Sequence, residues 1–413
     1  MIFCQDYKEQ RRKKPQRKLT GDYTFTFYGS KTEVIPSEWE EVLQNRNFFL
    51  SLKYLDIIER LHAGPIASRY VIVYRKKVPV FAAYFQVVDF TADVFGELVA
   101  SQISDMQSKR LRLFDKYIDK YKDQVIMRLV TCGNNFVSGE HGFVYSDKIK
   151  REDAFFLLEK ISTLVSKEEK LRGTISATML KDFYNIRLPQ NNILEENKFI
   201  EFTVDPNMVI DVPGDVTNIT EYIGTFSKKY RNRAKNILKA GDQLVKKDLT
   251  EEEVKKYNKE IFSLYENVFT HAKFKLVKLA ENYFYEIKKT FPDEFFVTAY
   301  FLNDRLVGFD SGYFTDKYTL EAHYIGLDYE VNKEYELYQN ILYHFIEVAI
   351  TGRKKTLDLG RSASEIKSTV GAKPHDLVCY IRPQNTLSQV VLNPFINFLQ
   401  PAEWIPRNPF KEE

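Results

Sequence analysis

The 413-residue sequence predicts an α/β protein assembled from two copies of one mixed unit. Its length exceeds what a single hydrophobic core needs and suits two domains of about 180 to 200 residues each. A content of 44% hydrophobic and 28% charged residues is that of a folded globular chain. Both halves pass through a helix, a strand pair and a later helix in similar order, as a repeated unit does.

Taken in order, residues 1–20 hold Lys8, Arg11, Arg12, Lys13, Lys14, Arg17 and Lys18 and are expected to form a basic arm or a solvated first helix. A first domain is assigned to residues 21–205. Residues 23–28 alternate tyrosine or phenylalanine with threonine like a strand, and Pro36-Ser-Glu-Trp-Glu-Glu opens a helix. A helix near 51–62, a turn at Gly64-Pro65 and strands over 70–74 and 78–88 follow, the strands meeting at the corner Arg75-Lys76-Lys77. Pro206, Pro213 and Gly214 are expected to interrupt any regular element between the two domains.

The second domain is assigned to residues 206–385. Phe226, Tyr230, Ala234 and Ile237 form the inner face of a helix whose other side carries Lys228, Arg231, Lys235 and Lys239. Thr250 and Glu253 make a capping box ahead of Val254, Tyr257, Ile261, Leu264 and Val268, an apolar face at helical spacing. Strands over 295–302 and 305–314 flank the turn Asn303-Asp304, and a third strand is expected over 318–327. A helix from about Glu336 puts Leu337, Ile341, Leu342 and Phe345 on one side. Residues 386–413 form an apolar tail that docks on the core or makes a monotopic contact with a bilayer.

Composition removes several function classes. The net charge of +3 makes the whole molecule no polyanion binder, so basic functions must come from local clusters. With 32 Phe and 26 Tyr the chain has aromatics to fill cores or to line a channel for an acyl chain. Cys4, Cys132 and Cys379 are too scattered for a disulfide framework or a paired-cysteine metal site. No metal is expected. The start of the chain has no apolar signal core and no run spans a bilayer, so a cytoplasmic protein is expected. Nucleophile elbows, phosphate-binding Walker loops and paired-histidine metal motifs do not occur.

The stretch Lys355-Thr-Leu-Asp-Leu-Gly-Arg-Ser-Ala-Ser-Glu-Ile-Lys-Ser-Thr-Val-Gly-Ala372 reads as a short strand, a polar turn and a new helix in which Ser362 and Glu365 have capping-box spacing. An ordinary strand-to-helix connection and a functional site both fit that pattern. Asp358, Gly360, Glu365, Lys367 and Gly371 resemble the C-terminal signature of N-acyltransferases related to the FemAB peptidyltransferases and to the acetyltransferase domain found beside 8-amino-7-oxononanoate synthase, double-domain relatives of the GNAT superfamily. Phe226 to Lys239 resembles the basic helix opening that family's second domain. Asn47 to Leu55 and Cys132 to Gly142 are similar to first-domain landmarks of bacterial members described as peptidoglycan biosynthesis or recognition proteins.

The resemblance implies tandem GNAT-like domains, transfer of an acyl group from a thioester to an amine, and donor binding between two splayed parallel strands of the second domain. The corresponding donor residues here are Tyr324, Ile325, Leu327, Asn332, Lys333 and Gly360, and the acceptor is expected between the domains. An acyl-CoA or an acyl carrier protein is the expected donor. One departure bears on it, since Val331 to Leu337 has no glycine where acetyltransferases open backbone amides to pyrophosphate, and Glu334 and Glu336 sit beside the helix start.

Glu321 and His323 alternate onto one strand face as base and orienter, or His323 is a structural hydrogen-bonded residue. Tyr324, on the opposite face, is a proton donor or packing. Lys367 and Arg361 are candidates to hold an oxyanion, carboxylate or phosphate, with His375 near them. Lys228, Arg231 and Lys235 form either a solvated face or a seat for tRNA, an acyl carrier or anionic headgroups. Alternative readings are aminoacyl transfer from aminoacyl-tRNA to a peptidoglycan precursor, N-acylation of a long-chain lipid amine at the membrane surface, and a non-catalytic glycan- or peptide-binding module.

Overall fold

The computed structural model describes residues 14–91, 125–170, 176–189, 192–272, 277–384, 392, 396, 400, 401 and 403–411. They divide into two compact units. The first holds the described residues of 14–135, 139–202 and 378–384 with 392 and 396, and the second those of 136–138, 203–377 and 400–411.

In the first unit, strands β1 (Arg17–Thr20), β2 (Tyr23–Tyr28), β3 (Ile66–Arg75), β4 (Val78–Thr91), β5 (Val125–Cys132) and β7 (Ala177–Tyr184) lie side by side in that order, and β6 (Phe143–Tyr145) pairs with β4. The end of β15 (Lys373–Pro383) lies beside β7. From β1 to β7 the paired strands are antiparallel except β5 and β7, which run parallel. Helices α1 (Pro36–Leu43) and α2 (Leu52–Leu61) serve one face, where Trp39 meets Tyr70 with ring centroids 5.7 Å apart. Helix α3 (Arg151–Lys170) buries Phe155, Leu158, Ile161 and Val165 against Val71, Val73, Phe81 and Phe85 on the other face. With both faces covered, β3 and β4 are buried nearly end to end, which is why they read as apolar runs and not as alternating strands. A short helix α4 (Ile193–Glu196) closes the unit before the chain leaves along β8 (Ile200–Asp211).

In the second unit the order is β8, β14 (Thr356–Asp358), β12 (Thr319–Ala322), β11 (Arg305–Phe314), β10 (Phe295–Leu302) and β9 (Val245–Asp248), with the two-residue β13 (Gly326–Leu327) also on β11. Helices α5 (Ile219–Gly224), α6 (Lys228–Ala240), α7 (Glu251–Lys256), α8 (Asn258–His271), α9 (Tyr283–Thr290), α10 (Tyr329–Tyr335), α11 (Leu337–Thr351) and α12 (Ser364–Ser368) complete it. Helix α11 packs Leu337, Ile341, Leu342 and Phe345 into a core with Ile210, Val307, Leu320 and Leu357. Thr250 and Glu253 form the expected capping box, but the helix breaks at Tyr257 into α7 and α8. Asn303 (φ 49°) and Asp304 (φ 62°) hold both central positions of the β10–β11 turn in the left-handed region, as a type I′ hairpin requires.

Three expectations are corrected here. Arg17 and Lys18 are not part of an arm: residues 17–20 are β1, paired with β2 around Gly21, and Arg17 reaches Glu168 at 2.7 Å. Residues 1–13 fall outside the described set. Pro206 does not interrupt the chain, because β8 runs through it to Asp211, and the break comes only at Pro213 and Gly214. The span 206–385 is not one body either, since residues 378–384 belong with the first unit. In the tail, Leu392 and Ile396 are buried, and Phe410 stacks edge-on against Phe226 at 5.5 Å.

Two positions are expected to be sensitive to substitution. Arg69 of β3 donates to both carboxylate oxygens of Glu169 on α3, at 2.5 and 3.0 Å, with both side chains almost fully buried. Removing one partner strands a charge in low dielectric. Arg69→Ala is expected to cost about 3–5 kcal/mol in denaturant unfolding, whereas Arg69→Met with Glu169→Leu loses much less. In the second unit, a β-carbon at Gly371 (φ +101°) would stand 2.5 Å from the Tyr222 hydroxyl and 2.7 Å from the Phe410 ring. Gly371→Ala is therefore expected to lower the thermal unfolding midpoint, and shortening Phe410 to alanine in the same chain does not restore it, because the Tyr222 contact and the left-handed backbone remain.

Candidate functional site

Strands β12 and β14 run parallel and pair through three rungs, Thr319 with Thr356, Leu320 with Leu357 and Glu321 with Asp358. Beyond the third rung each follows a different neighbour. His323 N donates to Ser311 O of β11 at 2.7 Å, and Gly326 and Leu327 pair with Phe309 and Gly308. On the other side Leu359 N donates to Met208 O of β8 at 2.9 Å, and Met208 N donates to Gly360 O at 3.0 Å. The two main chains separate where Glu321 and Asp358 stand side by side.

The expected strand over 318–327 is broken by a bulge. Gly312 opposes Ala322 and Phe309 opposes Gly326, so one extra residue is inserted opposite β11. The insertion cancels simple alternation and overturns the placement of Tyr324 on the opposite face. Its ring centroid lies 4.5 Å from that of His323 and 5.4 Å from that of Tyr265, and its hydroxyl donates to Phe136 O at 3.0 Å. His323 Nε2 is hydrogen-bonded to the Tyr283 hydroxyl at 2.8 Å, which in turn meets the Tyr313 hydroxyl at 3.1 Å. Burial among these rings pushes the imidazole pKa down to about 3, so His323 is neutral.

Glu321 is half-buried, with its carboxyl hemmed in by protein. Burial first, and then the charge of Asp358, push its pKa up to about 8, with Asp316 adding to the rise and a hydrogen bond from Thr315 opposing it. Asp358 is 9% exposed and accepts from Gly360 N at 2.7 Å and Asn207 Nδ2 at 2.8 Å. Burial raises its pKa too, while those two hydrogen bonds and the charges of Lys367 and His375 pull the other way. His375 is exposed at the start of β15.

Lys367 is only 5% exposed. Its ammonium donates to the carbonyls of Leu359, Gly360 and Arg361 at 2.7, 3.1 and 2.6 Å, which uses all three of its N–H bonds. Burial lowers its pKa to about 8 against the pull of Asp358 and Asp205. Lys367 thus clamps the strand exit and has no donor left for an oxyanion. The Ser362–Glu365 capping box does not form. Ser362 (φ 66°) and Ala363 (φ 49°) are left-handed, α12 starts at Ser364 without a side-chain cap, and Glu365 pairs with Arg407 at 2.5 Å. Arg361 is half-buried beside Gly360 (φ +68°) at the lip of the gap.

Of the expected donor residues, Leu327 is buried and Ile325 half-buried in the core beneath the gap. Asn332 and Lys333 lie not in a phosphate loop but inside α10. Asp328 caps α10 by accepting from Glu330 N and Val331 N at 3.0 and 3.3 Å, and Asn332 Oδ1 accepts from Tyr338 N at the start of α11. Lys333 pairs with Glu330. The amides a pyrophosphate would need are therefore taken by side chains of the chain itself. On α6, Lys228 and Lys235 are exposed and Arg231 half-buried along one side, over buried Ala234 and Ile237.

The first unit has the same topology with a different outcome. Its parallel pair β5–β7 is in register from Leu129 with Ala177 to Cys132 with Leu180. Beyond it, the Lys181 stem lies against Gly133, whose β-carbon would stand 2.5 Å from Lys181 Cγ, and the ammonium donates to Asn134 O at 3.1 Å and to Asp182. That strand exit is filled. Cys132 donates to Gly142 O and burial pushes its thiol pKa far up, while His141 is bonded to Asn47 at 3.0 Å, so these two form no nucleophile–base pair. Among the described residues, no group of three or more His, Cys, Asp or Glu side chains is placed to hold a metal ion, and no helix is long and apolar enough to cross a membrane.

Sequence reasoning passed over Asp358 as a site residue, and with it Asn207, Tyr283 and Tyr313. Asp358 was visible as the polar residue of the short strand and as a motif position. The other three come from elements whose adjacency no local pattern carries.

No protein-family model matches the sequence, and no curated protein matches it. The structure is similar to that of FemX at 12% identity, over 88% of this chain and 98% of that one, with a TM-score of 0.53. It is also similar to a tandem GNAT protein from the clavulanic acid biosynthesis pathway, at 9% identity over 88% and 99% of the two chains with a TM-score of 0.47. A third similar structure is the GCN5-related N-acetyltransferase from Sphaerobacter thermophilus, at 9% identity over 88% and 98% with a TM-score of 0.40. The chain has a fold like that of FemX, built as two mixed α/β units.

Proposed function

We propose that this chain is an N-acyltransferase whose second unit binds an activated carboxyl donor at the β12–β14 exit and transfers the acyl group to an amine. The observation that carries the reading is the ladder's end at Glu321 and Asp358, which leaves two diverging main chains and a carboxyl of raised pKa at one point. The donor carbonyl lies along the gap between Tyr324–Leu327 and Leu359–Arg361, where the dipoles of the two strand ends border the oxyanion as it develops. The amine nitrogen bonds to the carbonyl carbon, the bond from that carbon to the carrier's sulfur or oxygen breaks, and the amine proton passes to Glu321 and on to the leaving group. His323, neutral and held by Tyr283, keeps the wall of the gap in shape. Lys367 acts through the loop it clamps, and Arg361 supplies positive charge at the mouth.

The donor's carrier is read from two observations. The starts of α10 and α11 are occupied by Asp328 and Asn332, which disfavours a pyrophosphate seat, while α6 offers Lys228, Arg231 and Lys235 on one side. These favour a large anionic carrier, aminoacyl-tRNA or an acyl carrier protein, over free acyl-CoA. The acceptor is an amine on a peptidoglycan precursor in the first case and a lipid amine in the second.

Purified chain incubated with acyl-CoA, acyl carrier protein and charged tRNA pools is expected to form an N-acylated amine with at least one of them, read by mass spectrometry. No product with all three leaves the binding-module reading in its place. Glu321→Gln is expected to lower kcat by about 10²–10⁴-fold. In the unaltered enzyme the rate rises with pH through about 8, because the base must be ionised to accept a proton, and the substitution removes that limb. Replacing Lys228, Arg231 and Lys235 together by glutamine is expected to weaken carrier binding and to flatten its salt dependence by roughly 0.7–0.9 log units per log salt for each lost contact. An unchanged slope excludes α6 as the carrier's seat.

A further inference from the structure

We propose that Asp358 is a positioning residue for the transfer, an anion fixed by its own partners that obliges its neighbour Glu321 to be the carboxyl that takes the amine's proton. The inference rests on the acyl-transfer reading above and adds a division of labour within it. The two carboxyls are register partners on adjacent parallel strands, the closest placement two strand residues on one face have. Two such groups do not both ionise freely, so their surroundings decide which one holds the proton.

Those surroundings are unequal. Asp358 receives Gly360 N on one oxygen and Asn207 Nδ2 on the other. From the remaining elements, Lys367 on α12 and His375 on β15 direct positive charge at it. Glu321 has around it the Thr315 hydroxyl, the negative Asp316 from the same hairpin, and Tyr313 opposite it on β11, whose hydroxyl is turned to Tyr283. Every donor that stabilises a carboxylate, save Thr315, converges on Asp358. Asp358 therefore ionises first, and its fixed charge keeps Glu321 a weak enough acid to be a strong enough base near neutral pH.

The proton balance is simple. As the amine nitrogen bonds to the acyl carbon it loses one proton to the Glu321 carboxylate, and the Glu321 carboxyl returns that proton to the departing thiolate or alkoxide. Asp358 is ionised throughout and exchanges nothing. Gly360 links this pair to the donor, because the amide that donates to Asp358 belongs to the residue whose carbonyl is clamped by Lys367 and bonded to Met208.

The test reads the two carboxyls directly and needs no substrate. The full chain, labelled with ¹³C at the side-chain carboxyls of glutamate and aspartate, is titrated by NMR, with Glu321 assigned by the signal lost in Glu321→Gln and Asp358 by the signal lost in Asp358→Glu. Asp358 is expected to ionise at lower pH than Glu321. Asp358→Asn is expected to lower the Glu321 midpoint by about one unit, leaving it above an ordinary glutamate because burial persists, and Asp358→Glu is expected to restore most of the rise. The reverse order of ionisation in the unaltered chain overturns the proposal even where no Asp358 variant folds, as does a Glu321 midpoint unmoved by Asp358→Asn. A purely structural role for Asp358 moves the unfolding midpoint without moving this titration. Since no acyl transfer is measured, absence of activity with every donor and failure of the ionisation order are separate results.

Discussion

The second unit depends on two parallel strands being claimed by different neighbours. Through Glu321 and Asp358 the strands β12 and β14 pair with each other while β11 and β8 hold their outer edges, and beyond that rung only the outer pairings continue. Buried backbone groups demand partners, so the outer pairings have to run on past the point where the inner ladder stops. The bulge at 323–325 supplies one of them by shifting β13 into register with β11. The run of β8 through Pro206 and Asn207 supplies the other, and Asn207 also reaches Asp358.

Holding that exit apart creates a conformational cost, met by Lys367. Gly360, Ser362 and Ala363 all have positive φ, and the latter two do so without glycine's freedom. Three carbonyls consequently point inward at one place. A buried ammonium with three rotatable donors suits such a cage, whereas the planar fork of arginine does not. This gives a physical reason for a lysine two residues after the acidic position in the motif. It also explains the closing glycine, since at Gly371 the main chain passes against Tyr222 and Phe410 with no room for a side chain. The first unit repeats the parallel pair but lays Lys181 across its exit, so the same topology yields one open and one filled end.

Much of the architecture was legible locally. The hairpin over 295–314 appears at its expected bounds, because alternating aromatic and β-branched residues flank an Asn-Asp turn. Helix α11 starts within one residue of its expected position and buries the expected face. Helix α3 lay outside the expectations although Ala154, Leu158, Ile161 and Val165 carry a helical period. Other differences have other causes. Val331 to Leu337, compared with a phosphate loop for its position, falls in and just after a helix over Tyr329–Tyr335 that Asp328, a sequence-visible cap, opens. Ser362 and Glu365 have the spacing of a capping box, yet the Lys367 cage turns the preceding backbone left-handed and Arg407 takes the glutamate.

By itself the sequence determined the fold class, the two-part organisation, most strands and helices, and the resemblance that pointed to the strand exit near Gly360. These follow from periodicity, turn chemistry and capping, all interactions among residues a few positions apart. Only the tertiary structure decided what each site residue does. Glu321 meets Asp358 through a pairing 37 positions apart in the chain, Asn207 reaches Asp358 across 151, and His323 is taken up by Tyr283 across 40. Charge state and donor capacity are set by burial and by partners brought from distant elements. A lysine read as an oxyanion holder therefore turns out to be a backbone clamp, and an aspartate read as motif punctuation stands beside the base.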